Sequence, residues 1–220
     1  AGIALVIAVP LSFGVALFLT ETCPVSLRRP LGTAIELLAA VPSIIYGMWG
    51  FFVLGPFLAE SFVPGIADAV EHIPVLNVIF AGPATNLSLF NASLVLAIMI
   101  LPFITAISRD VFSTVPPVLK EAAYGLGCTT WEVVTNVVIP YTRVGVIGGI
   151  MLALGRALGE TMAVTFVIGN AFRISHSIFA PGTTISAAIA SEFAEASGLH
   201  QSALILLGLL LFVLTFFVLA

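Results

Sequence analysis

The sequence predicts an all-α membrane protein with about five transmembrane helices. Three observations carry this. The chain is 60% hydrophobic and only 8% charged, where a water-soluble domain has about 25% charged residues. Its mean hydropathy is +1.21. Its few charges gather between long apolar runs instead of spreading through them. A stretch of about 20 largely apolar residues crosses a bilayer as a helix. Five stretches qualify: 1–19, 31–54, 92–107, 144–168 and 201–219.

The first stretch lacks the basic leader of a signal peptide and reads as a span. The chain opens without Met and both begins and ends inside apolar runs, so we expect a core trimmed at both ends from a longer protein. The second stretch contains Pro42, and Pro10 and Pro102 lie in the first and third. Prolines are tolerated in membrane helices, where they mark kinks or breaks. The third stretch is short unless residues 87–90 are added. Glu36, in the first third of the second, reads as a side chain reaching back to the interface. Ser43, Thr105 and Ser108 have helix carbonyls within reach and need no further role.

The linkers differ in sign. Arg28 and Arg29 follow the first span, and Arg109, Lys120 and Arg143 lie between the third and fourth, which accounts for five of the 7 basic residues. Basic linkers stay in the cytoplasm, so both face that side, with the N-terminus outside and the C-terminus inside. The net charge of −4 has no bearing on this. The other side carries Glu60, Asp68, Glu71, Glu192 and Glu195 against Arg173 alone. Its first loop, 55–91, includes a mildly amphipathic part, 63–78, suited to the membrane surface. Its second, 169–200, contains the turn signal Ala180-Pro181-Gly182 and a small-residue-rich stretch, 185–196, that reads as a short re-entrant or interfacial helix. Cys23 and Cys128 flank the cytoplasmic side and read as free thiols. His72, His176 and His200 fall in outer loops without ligand spacing, so no metal site is expected. Asn86-Leu87-Ser88 and Asn91-Ala92-Ser93 match the glycosylation triplet and are assigned no function.

The linker before the fourth span has more pattern. Pro116-Pro117 break the chain after the third span. Residues 118–126 then form a short helix with Gly127 as a left-handed cap. Thr130 is placed to cap a second short helix, 131–138, which Pro140 limits. Together they make a compact cytoplasmic knob. Its spacing is Glu121-Ala122-Ala123, three residues, Gly127, nine residues, Val137, one residue, Ile139-Pro140.

The fourth span, 144–168, places Arg156 near its centre and Glu160 four residues on, one helical turn away on the same face. Each charge at that depth costs about 2.5–3.5 kcal/mol on the insertion scale. Gly145, Gly149, Ala153 and Ala157 form a ridge of small residues where another helix can approach. The ridge packs, and the charges turn inward from lipid. Two readings stay open at this point. The pair is a structural salt bridge, or Arg156 meets a passing anion that Glu160 restrains. A guanidinium fork suits tetrahedral oxyanions.

The 121–140 spacing resembles the EAA motif of permease subunits of ABC importers, with Val137 and Ile139 in place of the usual Ile and Leu. Gly155-Arg156-Ala157-Leu158-Gly159-Glu160-Thr161-Met162-Ala163-Val164 is similar to the signature of the phosphate-specific permeases. So are 41–50, 181–185 and Ser191-Glu192-Phe193. That system has two permeases. One usually follows Gly-Glu-Thr with Ala-Pro, whereas Met162-Ala163 here resembles the other. The resemblance covers nearly all 220 residues.

It implies a type I importer permease (MetI-like) core over 1–220, with a cytoplasmic coupling loop at 118–140. It implies inward phosphate transport across a bacterial inner membrane. Arg156, Glu160 and Thr161 would line the pathway, and Glu121, Ala122, Ala123, Gly127, Ile139 and Pro140 would dock the ATPase. The implied partners are a homologous second permease, a dimer of ATP-binding subunits, and an extracytoplasmic phosphate-binding protein. No cofactor is expected in this chain. It lacks Gly-x-x-x-x-Gly-Lys-[Ser/Thr], so ATP and Mg belong to the partner. The alternatives are a permease for molybdate or sulfate, which the Arg-Ala-Leu-Gly-Glu-Thr string disfavours, and an ATP-independent secondary transporter, which the docking motif disfavours. An intramembrane enzyme lacks Gly-x-Ser-x-Gly, His-Glu-x-x-His and paired carboxylates.

Overall fold

A computed structural model describes residues 1–65, 80, 85–173, 175 and 177–219. The described residues are helical, without strands. Five helices are long and apolar enough to cross a membrane: α1 (Gly2–Thr22), α3 (Ser43–Gly65), α4 (Leu89–Ser113), α6 (Thr130–Gly159) and α9 (Leu199–Leu219). Between them lie the shorter α2 (Val25–Ala39), α5 (Pro117–Gly125), α7 (Met162–Ile168) and α8 (Ile185–Glu192). The amphipathic stretch placed at 63–78 lies largely outside the described residues, as do Asp68, Glu71, His72 and His176.

Two spans start elsewhere than hydropathy places them. The second begins at Ser43, not at 31, because Pro42 adopts an extended backbone (ψ 135°) and ends what precedes it. Residues 25–39 become the separate helix α2. The same span continues to Gly65, ten residues past the expected loop start at 55. The fourth begins at Thr130 and passes straight through Pro140, so no separate 131–138 helix exists. It ends at Gly159 instead of 168.

Proline explains how the spans continue. A ring inside a helix clashes with the carbonyl four residues back and supplies no N–H. Wide π turns occur at Phe18–Thr22, Gly50–Leu54, Leu58–Phe62 and Val134–Val138. Each ends two residues before a proline: Pro24, Pro56, Pro64 and Pro140. The N–H before the ring reaches back five residues, as in Gly55 to Gly50 O and Ile139 to Val134 O. Widening the turn removes the clash, so the chain runs past Pro56 and Pro140.

Two compact units emerge from the packing. One comprises Ala1, Pro42–Ala97 and Gly155–Ala220; the other comprises Gly2–Val41 and Ile98–Leu154. The core of the first gathers Ala92, Val95, Ala163, Val164, Val167, Ile168 and Ala187, with Tyr46, Phe51 and Leu54 against it. Here α7 is the hub, and α3 meets it at Gly47, where an added Cβ would stand 2.9 Å from the Ala163 Cα. The core of the second joins Ala16, Phe112, Val115 and Val138. In that unit Ser12 Oγ donates to Leu101 O (3.0 Å), tying α1 to α4. The small-residue ridge of α6 packs as expected: Gly145 faces Val111 and Gly149 faces Ile107 of α4, and Ala153 is buried.

Candidate functional site

The charged segment is a helix break. α6 ends at Gly159, Glu160 and Thr161 are non-helical, and α7 starts at Met162. Arg156 and Glu160 therefore do not share one helical face. Arg156 sits in the last turn of α6. It lies off the buried stripe of Ala153 and Ala157 and is exposed in the isolated chain. The guanidinium lies close enough to the Tyr46 hydroxyl of α3 to act on it electrostatically.

Glu160 closes the break. Its Oε1 accepts from the Ala163 N–H (3.1 Å), supplying an acceptor and a negative charge to the first turn of α7, where both stabilise a helix. Its own carbonyl, left over from α6, accepts from Ser186 Oγ of α8 (2.8 Å). Ser186 is buried. α8 itself starts with Thr184, whose Oγ1 accepts from the Ala187 N–H (3.1 Å). Thr161 contributes its carbonyl to Thr165 N (2.9 Å) and Thr165 Oγ1 (2.7 Å). Beside the break is a cavity of about 240 Å³ whose wall includes Ser93, Leu96, Glu160, Thr184 and Ser186. Arg156 is not part of that wall. The two charges thus have different surroundings within one unit, and α8 is a packed part of that unit.

Sequence reasoning missed Tyr46 and Ser186. Tyr46 lies within the 41–50 string quoted above, and Ser186 lies in the small-residue stretch, but neither carries a signal of proximity to residue 160.

The other candidate region lies in the second unit. α5 spans Pro117–Gly125 and has no buried residue. Gly127 has φ +87°, as expected of a left-handed cap. The Gly127 N–H bonds to Tyr124 O (2.9 Å) and the Cys128 N–H to Ala123 O (3.2 Å), the paired bonds of a Schellman motif. The cap of the next helix is Thr129, one residue before the expected Thr130, and it forms a capping box with Glu132. The T-x-x-E signature for this was present in the sequence. Glu121, Ala122, Gly127, Ile139 and Pro140 are exposed and Ala123 partly so. Exposed apolar side chains surround them: Val118, Leu126 and Trp131.

A cleft of about 650 Å³ adjoins α5, with Arg28, Arg29, Arg109, Lys120, Glu36 and Glu121 among its walls. Most of these cations have partners. Arg109 reaches Glu36 (2.7 Å) and Asp110 (3.0 Å), so Glu36 is an ion-pair partner on α2 and not a residue of a span. Lys120 reaches Glu21 (2.5 Å). Arg28 donates to Thr20 O (2.8 Å). Cys23 and Cys128 are free thiols. His200 pairs with Glu192 (3.0 Å). No cluster of potential metal ligands occurs among the described residues.

The fold, the broken charged span and the exposed helix pair place this chain among multi-pass transport proteins. It belongs to the family of binding-protein-dependent transport system inner membrane components, which matches residues 5–220. Among its relatives is the phosphate transport system permease protein PstC of Mesorhizobium japonicum, 66% identical over 219 residues, covering 99% of this chain and 67% of that protein. The PstC proteins of Pasteurella multocida (62% over 218 residues; 99% and 68% covered) and Haemophilus influenzae (60% over 219 residues; 100% and 70% covered) are similar. In fold the chain resembles one from the inward-facing MetNI methionine ABC transporter, with a TM-score of 0.65 at 15% identity over 99% of this chain and 83% of that one. The fold is therefore that of a MetI-type ABC importer permease, and the chain has a transport role.

Proposed function

We propose that this permease subunit carries inorganic phosphate inward across the bacterial inner membrane. ATP and Mg are bound, and ATP hydrolysed, in a separate ATP-binding subunit. The observation that carries this is Arg156, a guanidinium exposed in the last turn of a membrane span, one turn before a helix break. A guanidinium exposed beside a break in a membrane span is placed to meet an anion. A homologous second permease, like PstA, supplies the other wall of a pathway, and phosphate passing between the walls supplies the charge. The names of the relatives support phosphate as the cargo.

In this reading, Arg156 offers two parallel N–H donors to two phosphate oxygens and offsets the charge of the desolvated anion. Glu160 holds the break: with one carboxylate oxygen engaged by Ala163 N–H, it fixes where α6 ends and so where Arg156 points. Thr161 lies at the same break. The 118–140 loop docks on the ATP-binding dimer (PstB-like) through Glu121, Ala122, Ala123, Gly127, Ile139 and Pro140. A phosphate-binding protein (PstS-like) delivers cargo from outside. Closure of the ATPase dimer draws the docking loops together and biases a two-state switch between outward and inward openings.

The test is uptake by the reconstituted complex with its binding protein. ATP-dependent accumulation of phosphate, undiminished by excess molybdate or sulfate, is the expected result. Uptake of either of those anions in preference to phosphate would replace the assignment.

A further inference from the structure

Lys120 immediately precedes Glu121 in α5 and forms an ion pair with Glu21 across 99 residues of sequence. The separation is 2.5 Å, and the side chains are only 20% and 7% exposed. Glu21 belongs to the π turn that ends α1. Arg28, in the first turn of α2, donates to Thr20 O of the same turn (2.8 Å). The end of α1 is therefore gripped from two sides, once by α2 and once by α5. No residue of α5 is buried, so its hold on the rest of the unit depends little on apolar packing.

An ion pair largely shielded from water adds little net stability over an apolar pair of similar volume, but removing one partner leaves an uncompensated charge. Its distinguishing property is direction: a short charge-assisted bond tolerates small displacement only if both partners move together. We propose that the Lys120–Glu21 pair is the strut through which displacement of α5 moves the end of α1. Both are then positioning residues for transport, acting through the helices they join. This rests on reading α5 as the helix that docks the ATPase.

The experiment uses the complete complex in proteoliposomes and reads phosphate transported per ATP hydrolysed. Three double or single variants are compared: Lys120→Met/Glu21→Met, Lys120→Glu/Glu21→Lys, and Lys120→Met alone. The single variant buries a lone carboxylate and serves as the folding control. The Met/Met variant restores packing without charge. It is expected to assemble with its ATPase yet lose about fivefold or more in phosphate moved per ATP, the scale of an ordinary coupling between two sites. The charge-swapped variant is expected to recover most of that loss. If Met/Met assembles and transports with the wild-type ratio, the pair is structural only and the proposal fails. If the swapped variant assembles but stays uncoupled, the ion pair is not the link, and the proposal also fails. A wild-type complex that binds its ATPase but moves no phosphate would instead refute the cargo. ATP hydrolysis stimulated by the loaded binding protein would then still report on the strut.

Discussion

At the residue scale, Arg156 and Glu160 separate into distinct roles. Arg156→Gln removes the charge proposed to hold the anion. Losing a charged hydrogen bond of this kind costs about 1.5–3 kcal/mol, so uptake should fall about ten- to a hundredfold with the complex still assembled. For Glu160 the bond to Ala163 N–H matters. Glu160→Gln keeps an acceptor there, while Glu160→Ala does not. The alanine variant should be less stable than the glutamine variant by about 1 kcal/mol, the usual worth of a helix cap, as read from thermal denaturation in detergent. Equal stability would show that the cap contributes nothing. If Arg156→Gln/Glu160→Gln assembles and transports like wild type, neither charge serves the pathway. Ser186→Ala orphans the Glu160 carbonyl. A buried unsatisfied acceptor costs about 1–3 kcal/mol, and Ser186→Thr, which keeps a hydroxyl, should restore most of the loss.

At the element scale, two glycines serve different ends. Gly47 is a close approach: an added Cβ would stand 2.9 Å from Ala163 Cα and 3.1 Å from its carbonyl oxygen. Both are backbone atoms and cannot rotate aside. Gly47→Ala should therefore lower stability by about 1–3 kcal/mol, as overpacking does, and a wild-type melting temperature would show that α3 and α7 can separate freely. Gly127 is a conformational requirement, with φ +87° and no atom within 4 Å of an added Cβ. A side chain there strains the turn without touching its own chain. Gly127→Asp should leave insertion intact and abolish co-purification of the ATP-binding subunit. Normal recovery of that subunit with normal uptake would refute docking at this turn. The π turns before Pro56 and Pro140 belong to the same scale. Proline alone reads as a helix stop, and only the widened turn upstream lets the span continue.

At the scale of the whole molecule, the distribution of Lys and Arg sets the expected orientation. Position 126, in the turn after α5, should face the cytoplasm and position 172 the outside. Both side chains are exposed, Leu126 at 86% and Phe172 at 68%, so each can be replaced by Cys without unpacking a core. In intact cells lacking Cys23 and Cys128, an impermeant thiol reagent should label Phe172→Cys and spare Leu126→Cys. The opposite pattern would invert the topology. The 21-residue helix α9 is almost unburied in this chain, as expected of a span whose neighbours are lipid or another subunit.

Composition and hydropathy were enough to establish a multi-pass membrane protein and the number of candidate spans, and residue spacing placed the left-handed turn at Gly127. Burying a helix in lipid requires a run of apolar side chains, and a left-handed cap requires Gly. Those demands are local and therefore legible in the sequence. The boundaries at residues 43, 65 and 130 were not. Hydropathy reports burial in lipid and is blind to whether a proline stops a helix or is passed by a wide turn. The break at 160–161 was equally hidden, because the sequence around Arg156 and Glu160 reads as one continuous helix. Only tertiary structure brings the Ser186 hydroxyl to the Glu160 carbonyl and so gives the broken backbone a partner. The Lys120–Glu21 and Arg109–Glu36 pairs likewise join residues far apart in the chain, and their charges became partners only when α1, α2, α4 and α5 packed together.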